Sequence, residues 1–120
     1  MIAIALIIGL SALALAGIGL YWKKIAEWIK KAASKVEEVL HVAVEGVRTF
    51  VQKTADGLKN ISKHYNQNKV THEWEEHVFN KLVSENDIPE EILMKLNGCS
   101  MNEEISTTKE FAQALALANA

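Results

Sequence analysis

The sequence predicts an all-α protein: one N-terminal transmembrane helix continuing into a long heptad-patterned cytoplasmic helix, then a small cluster of short helices, assembled as a homo-oligomeric bundle. Residues 2–21 form one apolar run, an apolar repeat of 3.5 residues follows it, and the single proline stands far down the chain at position 89. The predicted regions are a transmembrane helix at 2–21, a juxtamembrane coiled-coil or bundle helix at 22–62, and a small acidic helical cytoplasmic region at 63–120.

The apolar run reads IAIALIIGLSALALAGIGLY, and Ser11 is its one polar residue before Tyr21. As a helix it covers about 30 Å, the thickness of the hydrocarbon core, and Tyr21 and Trp22 then stand where an aromatic belt is expected. The alternative is a secretory signal cleaved after Ala16. No Lys or Arg precedes the run, however, and signals carry a positive n-region, so we expect a retained span.

Basic residues follow the span and none precedes it. Residues 22–63 carry nine Lys/Arg against five Asp/Glu, and residues 64–120 carry four against ten. The positive-inside rule predicts a single-pass protein of the bacterial inner membrane, with the N-terminus outside and the C-terminus cytoplasmic. A lipid bilayer is thus an expected partner, and nucleic acid is not indicated. The predicted lipid-headgroup collar is Lys23, Lys24, Lys30, Lys31 and Lys35.

Two stripes predict self-association. In the span, small residues spaced four and three apart favour close helix contact in lipid; they are Ala5, Gly9, Ala12, Ala16 and Gly19. Beyond it, apolar residues keep the same spacing: Trp22, Ala26, Ile29, Ala33, Val36, Leu40, Ala43, Val47 and Phe50. This spacing predicts one nearly continuous helix from Ile2 to Thr54.

A second apolar column widens the stripe and contains Ile25, Ala32 and Val39. A helix that faces neighbours on two sides needs such width, which favours a parallel assembly of four or more copies. The alternative left open is that the C-terminal half of the same chain folds back and covers the stripe.

The distal part is predicted to contain three short helices. The first is predicted at 72–85, with Thr71 as its N-cap. The second is predicted at 89–96, after a start signal at Asp87 and before a stop at Asn97-Gly98. The third is predicted at 108–119, after Thr107. Three short helices bury little apolar surface alone. We therefore expect them to pack on the long helix or on a neighbouring subunit.

No group of residues predicts catalysis. The string HEWEEH at 72–77 places its histidines five apart, about 140° round a helix, whereas the HExxH zinc motif needs four. We interpret it as a solvated helix face. His41 and His64 are isolated, and the single cysteine, Cys99, has no basic neighbour to activate its thiol. The sequence therefore predicts no enzyme, no cofactor and no metal site.

A self-associating span with an acidic cytoplasmic region predicts a homo-oligomeric ion channel or pore. Membrane-depolarising toxins and defence effectors are proteins of this kind. The alternative is a membrane-anchored scaffold whose cytoplasmic helices bind a partner, and a cleaved membrane-active peptide is third. The expected partners are the bilayer, further copies of the chain and an unidentified cytoplasmic regulator.

Overall fold

The structure, a computed structural model, describes residues 20–118 and the side chains of residues 21–114. These residues form three helices and a four-stranded antiparallel sheet with strand order β3-β2-β1-β4. In chain order the elements are α1 Leu20–Leu40, β1 Gly46–Thr54, β2 Gly57–Gln67, β3 Trp74–Val83, α2 Glu90–Asn97, β4 Glu104–Ser106 and α3 Thr108–Ala118, with a short 3₁₀ turn at Glu85–Asp87 before α2.

The sheet shows that the all-α prediction is wrong. The helix predicted to reach Thr54 ends at Leu40, and the helix predicted at 72–85 is strand β3. After Leu40, His41 adopts a left-handed conformation with φ 56°, which ends the helix. In β3 the apolar pattern misled because Trp74, Val78 and Leu82 are spaced by four, an even number that also fits the two-residue period of a strand.

The residues between β1 and β2 favour a tight turn. Thr54 pairs with Gly57 across a two-residue loop, and Gly57 has φ 126°, a conformation that favours glycine. The Thr54 hydroxyl accepts from the Asp56 N–H at 3.2 Å and donates to the Gly57 carbonyl at 2.9 Å. Asp56-Gly57, the last loop residue and the first residue of β2, is a local signal for such a hairpin.

All three helices pack on one face of the sheet, which we call the helix side. The register of the ladder places the strand residues of the core on this face: Val47, Val51, Leu58, Val83 and Ile105. The helices contribute buried side chains to the same core: Trp22, Ile25, Ala26, Ile29, Ile92, Leu96 and Phe111.

The apolar stripe of α1 is therefore covered by the chain's own sheet, as in the alternative left open above. From Trp22 to Val36 its five residues are at most 8 % exposed. The rest of the predicted seam does not continue on a helix. Leu40 is exposed at the end of α1, Ala43 is exposed in the connection, and Val47 and Phe50 lie in β1 on opposite faces of the sheet. The homo-oligomeric helical bundle is corrected accordingly.

The predicted inner-membrane localisation is contradicted as well. Within residues 20–118, no helix combines the length and apolar character needed to cross a membrane. The sheet likewise contradicts the coiled coil and the pore-forming helical bundle, while the channel function itself is tested by none of the described residues and stays a prediction. Most of the predicted span at 2–21, with the seam residues Ala5, Gly9, Ala12, Ala16 and Gly19, lies outside the described residues.

The two later helices are confirmed. The helix predicted at 89–96 is α2, with Pro89 at its N-cap and Gly98 at its C-cap, and the helix predicted at 108–119 is α3. Three threonines attach α3 to β1. The Thr108 hydroxyl accepts from the Thr49 N–H at 3.0 Å and donates to the Thr49 carbonyl at 3.1 Å, while the Thr107 hydroxyl donates to that of Thr49 at 2.8 Å.

Substituting Thr108→Val should destabilise the fold by about 1–3 kcal/mol, because the buried Thr49 N–H loses its acceptor. Urea unfolding followed by circular dichroism gives the change in the free energy of unfolding. Ser100→Ala, which removes an exposed hydroxyl, is the matched control and should change it by less than about 0.5 kcal/mol. Equal effects of the two changes would contradict the described attachment of α3.

Candidate interaction surface

Strand β3 forms one edge of the sheet along its ten residues. Its inner side pairs with β2 from Leu58↔Val83 to Gln67↔Trp74, and no element of the described chain pairs with its outer side. The opposite edge is the three-residue strand β4. An outer strand leaves alternate N–H and C=O groups unpaired, which makes it a template for a further strand. We call the outer backbone of residues 74–83 the β3 edge.

The side of the sheet away from the helices, the open face, is apolar along β3. Trp74, Val78 and Leu82 point to this side, because they pair with Gln67, Lys63 and Lys59 rather than with the core positions of β2. Val78 is 51 % and Leu82 56 % exposed, and Trp74 is half-buried. The open face therefore presents a row of three large side chains directly beside the β3 edge.

The aromatic rings nearer the centre of the open face are covered by cations. Lys63 Nζ lies 4.6 Å from the Phe50 ring centroid and 2.7 Å from the Glu104 carboxylate. The Arg48 guanidinium lies 5.5 Å from the Tyr65 ring centroid. Because both rings are already occupied, a nucleic-acid base could stack on them only by displacing a cation.

The Tyr65 hydroxyl is held at the open face by an acceptor from the outer strand. It donates to the Glu76 carboxylate at 2.8 Å, and burial, with this carboxylate, raises the pKa of Tyr65 to about 12. The phenol therefore stays protonated and remains a donor across the whole physiological range. This bond ties β2 to β3 on the face that carries Trp74 and Val78.

On its helix side, β3 carries two charges of opposite sign. The Glu75 carboxylate accepts from the side-chain amides of Asn66 at 2.8 Å and Asn68 at 3.4 Å, and these bonds lower its pKa. Lys81 lies six residues further along the same strand. Within residues 21–114, neither forms an ion pair, whereas the described ion pairs are Lys63–Glu104 and Lys95–Glu110.

A row of polar side chains is buried beneath α1, on the helix side of β2. Ser62, His64 and Asn66 are each 0 % exposed. The Ser62 hydroxyl lies 3.0 Å from His64 Nε2, and the His64 ring meets Phe79 edge-on at 5.2 Å. Burial, and then the neighbouring His77, lowers the pKa of His64 to about 4, so its imidazole is neutral near pH 7.

The Ser62–His64 pair has the composition of a nucleophile and its base, but both side chains are enclosed and neither can meet a substrate. Next to it, His77 Nε2 lies 2.6 Å from the Asn66 side-chain oxygen. No group of three His, Cys, Asp or Glu side chains in the described part of the chain could hold a metal ion. The row therefore serves the packing of the sheet.

The string HEWEEH is not a helix face. His72 is a loop residue with φ 61°, and β3 begins at Trp74, where Glu75 and His77 point to the helix side and Glu76 to the open face. The predicted solvated helix is therefore corrected to an edge strand with alternating faces.

A cavity of about 190 Å³ lies between the first turns of α1 and the end of β3. Tyr21, Trp28, Asn60 and Lys81 are among its lining residues, and the Tyr21 hydroxyl donates to the Asn60 side-chain oxygen at 2.7 Å. Burial raises the pKa of Tyr21 to about 12. The cavity is smaller than the roughly 300–1,000 Å³ of typical small-molecule sites, so it defines no ligand site.

The residues predicted to contact headgroups are all on α1. Lys23, Lys24, Lys30, Lys31 and Lys35 are exposed there, and their contact with lipid stays a prediction. Cys99 is half-buried, with its thiol 3.0 Å from the Leu96 carbonyl. The β3 residues of the interaction surface were missed by the sequence analysis. Asp56-Gly57 signals the β1–β2 hairpin, but residues 74–83 do not alternate strictly between apolar and polar, so the sequence offers no clear signal for β3.

The fold and this surface define a small α/β domain with helices on one face of its sheet and a long unpaired edge strand. Comparison with models of protein families, with curated proteins and with solved structures gave no match.

Proposed function

We propose that this chain is a protein-interaction module that binds an extended segment of a partner by strand addition at the β3 edge. The observation that carries the proposal is the ten-residue outer strand, unpaired within the described chain and flanked by Trp74, Val78 and Leu82. In strand addition, backbone hydrogen bonds supply affinity, and contacts with alternate side chains supply specificity.

A polypeptide fits this surface better than a nucleic acid. The rings of Phe50 and Tyr65 are covered by Lys63 and Arg48, so the stacking platform that single strands use is occupied. The chain also carries a net charge of −2, and its open face pairs basic with acidic groups instead of presenting a basic patch. The unpaired backbone of the β3 edge, by contrast, is complementary to another polypeptide backbone.

The sequence also allowed a scaffold that binds a partner through its helices. The proposal keeps partner binding but places it on the edge of a strand. Of the three helices expected to bind a partner, the later two, α2 and α3, pack on the core, whereas the first is strand β3, to which the proposal assigns recognition. No catalytic step belongs to this function, because Ser62 and His64 are enclosed.

The test uses a fluorescein-labelled peptide with the sequence of residues 73–84, EWEEHVFNKLVS, added to the full chain. Fluorescence anisotropy should show saturable binding. Two control peptides carry N-methyl groups on alternate residues, one on the odd and one on the even positions. Only one series faces the β3 edge, so one control should bind at least about tenfold more weakly and the other should not. No binding, or equal binding of all three peptides, would contradict strand addition.

Trp74→Ala in the full chain should weaken peptide binding by about tenfold, because Trp74 supplies apolar contact beside the β3 edge. Met94→Ala is the matched control: Met94 is 68 % exposed on α2, and its removal should leave the affinity within about twofold. An unchanged affinity for the Trp74 variant would remove this side chain from the interaction surface.

A further inference from the structure

We propose that the strand added at the β3 edge is β3 of a second copy of this chain, in a two-fold register centred on Val78. The inference rests on the proposed function and names its partner. Two four-stranded sheets would then join into one continuous eight-stranded sheet.

The symmetry limits which registers are allowed. A two-fold axis perpendicular to the sheet makes the two copies of β3 antiparallel and keeps the helix sides of both copies together. Residues directly opposite each other must then share a face of the sheet. With the axis at Val78, the open face places Trp74 opposite Leu82 of the other copy and Val78 opposite itself.

The same register also brings complementary side chains of the two copies together on the helix side. Glu75 stands opposite Lys81 of the other copy, and His77 stands opposite Phe79, each pair occurring twice about the axis. Glu75 and Lys81 have no ion-pair partner within the described chain, and the Glu75 carboxylate is already oriented by Asn66 and Asn68. Opposite charges on facing strands stabilise the pairing.

If the axis is moved by one residue in either direction, charged side chains face apolar ones. With the axis at His77, Glu75 would face Phe79 and Glu76 would face Val78. With the axis at Phe79, Glu76 would face Leu82 and His77 would face Lys81. Each of these arrangements removes a carboxylate from water against an apolar side chain. Of these three registers, the distribution of charge along β3 favours the one centred on Val78.

Disulfide trapping tests this register in the full chain with Cys99→Ser as background. Val78→Cys places two thiols across the axis, where the Cα atoms of facing residues are about 4.5–5.5 Å apart, within the range a disulfide spans. Leu82→Cys is the matched control, similarly exposed, and its two copies would be about 27 Å apart. Under mild oxidation with copper–phenanthroline, the Val78 variant should form covalent dimers at least tenfold faster than the Leu82 variant.

Charge reversal tests the Glu75–Lys81 pairs independently, with the equilibrium dimer fraction measured by analytical ultracentrifugation. Glu75→Lys or Lys81→Glu alone places like charges opposite each other at two positions and should weaken dimerisation by about tenfold. The double variant restores opposite charges and should recover the original constant within about threefold. Glu85→Lys, an exposed change outside the strand, should leave the dimer constant unaltered.

The outcomes separate this inference from the proposed function. Cross-linking at Val78 with restoration in the double variant supports both. Equal cross-linking at Val78 and Leu82, or no restoration, overturns the two-fold register. If the peptide binds the β3 edge but no Val78 dimer forms, the second copy is overturned and strand addition stands. If neither occurs, both proposals fail.

Discussion

Replacing Phe111 by alanine is expected to lower the free energy of unfolding by about 3–5 kcal/mol. Phe111 is 0 % exposed, and its ring stacks on Trp22 with centroids 5.7 Å apart and planes 13° from parallel. This contact joins α3 to α1 above the sheet. Truncation removes apolar surface and leaves a cavity that rigid neighbours cannot fill.

Val39→Ala provides the matched control for this prediction. Val39 lies on α1 in the second apolar column, and it is 74 % exposed. A helical bundle of several copies would bury it, whereas the present fold leaves it in solvent, so its truncation should cost less than about 0.5 kcal/mol. Urea unfolding of both variants gives the comparison. A cost for Val39→Ala as large as that for Phe111→Ala would contradict the described packing.

Lowering the pH from 7 to 4 is expected to remove about 3 kcal/mol of stability through His64 alone. Burial lowers the pKa of His64 to about 4 in the folded chain, whereas an exposed histidine has a pKa of about 6.5. Between these values the unfolded chain binds the proton and the folded chain does not, so stability falls as the pH falls. On β3, His77 lies directly opposite His64, and Glu75 stands two residues from His77 on the same face.

The measurement is the free energy of unfolding of wild type and His64→Gln at several pH values between 4 and 7. Their difference isolates His64 from the carboxylates that titrate in the same range, and it should fall by about 3 kcal/mol towards pH 4. His72→Asn, at an exposed loop residue, is the control and should show no such change. An NMR titration midpoint of His64 near 6.5 in the folded chain would contradict its described burial.

The β3 edge and the buried polar row of Ser62, His64 and Asn66 lie on the neighbouring strands β3 and β2. On β2 and β3, Asn66 orients Glu75 on the helix side, while Tyr65 and Glu76 are bonded on the open face. The outer strand is thus held to its neighbour by side chains on both faces as well as by the backbone ladder. This attachment holds β3 in the sheet, where its outer backbone can act as a template for another strand.

Local signals in the sequence predicted the later helices correctly. Pro89 before α2 and Gly98 after it act within one helical turn, and Thr107 stands directly before α3. The stripe from Trp22 to Val36 also identified the buried face of α1, because its apolar spacing depends only on helix geometry. These features are set by residues close together in the chain.

Only the tertiary structure decided what covers that stripe and which face remains open. The hydrophobic effect is non-directional. The apolar periodicity of a helix therefore identifies which residues become buried but not what they pack against. The residues of β1 and β3 became strands because antiparallel pairing with β2 satisfied their backbone groups, a non-local interaction that local propensity does not contain. Long-range pairing therefore determined the open face, the β3 edge and the burial of His64.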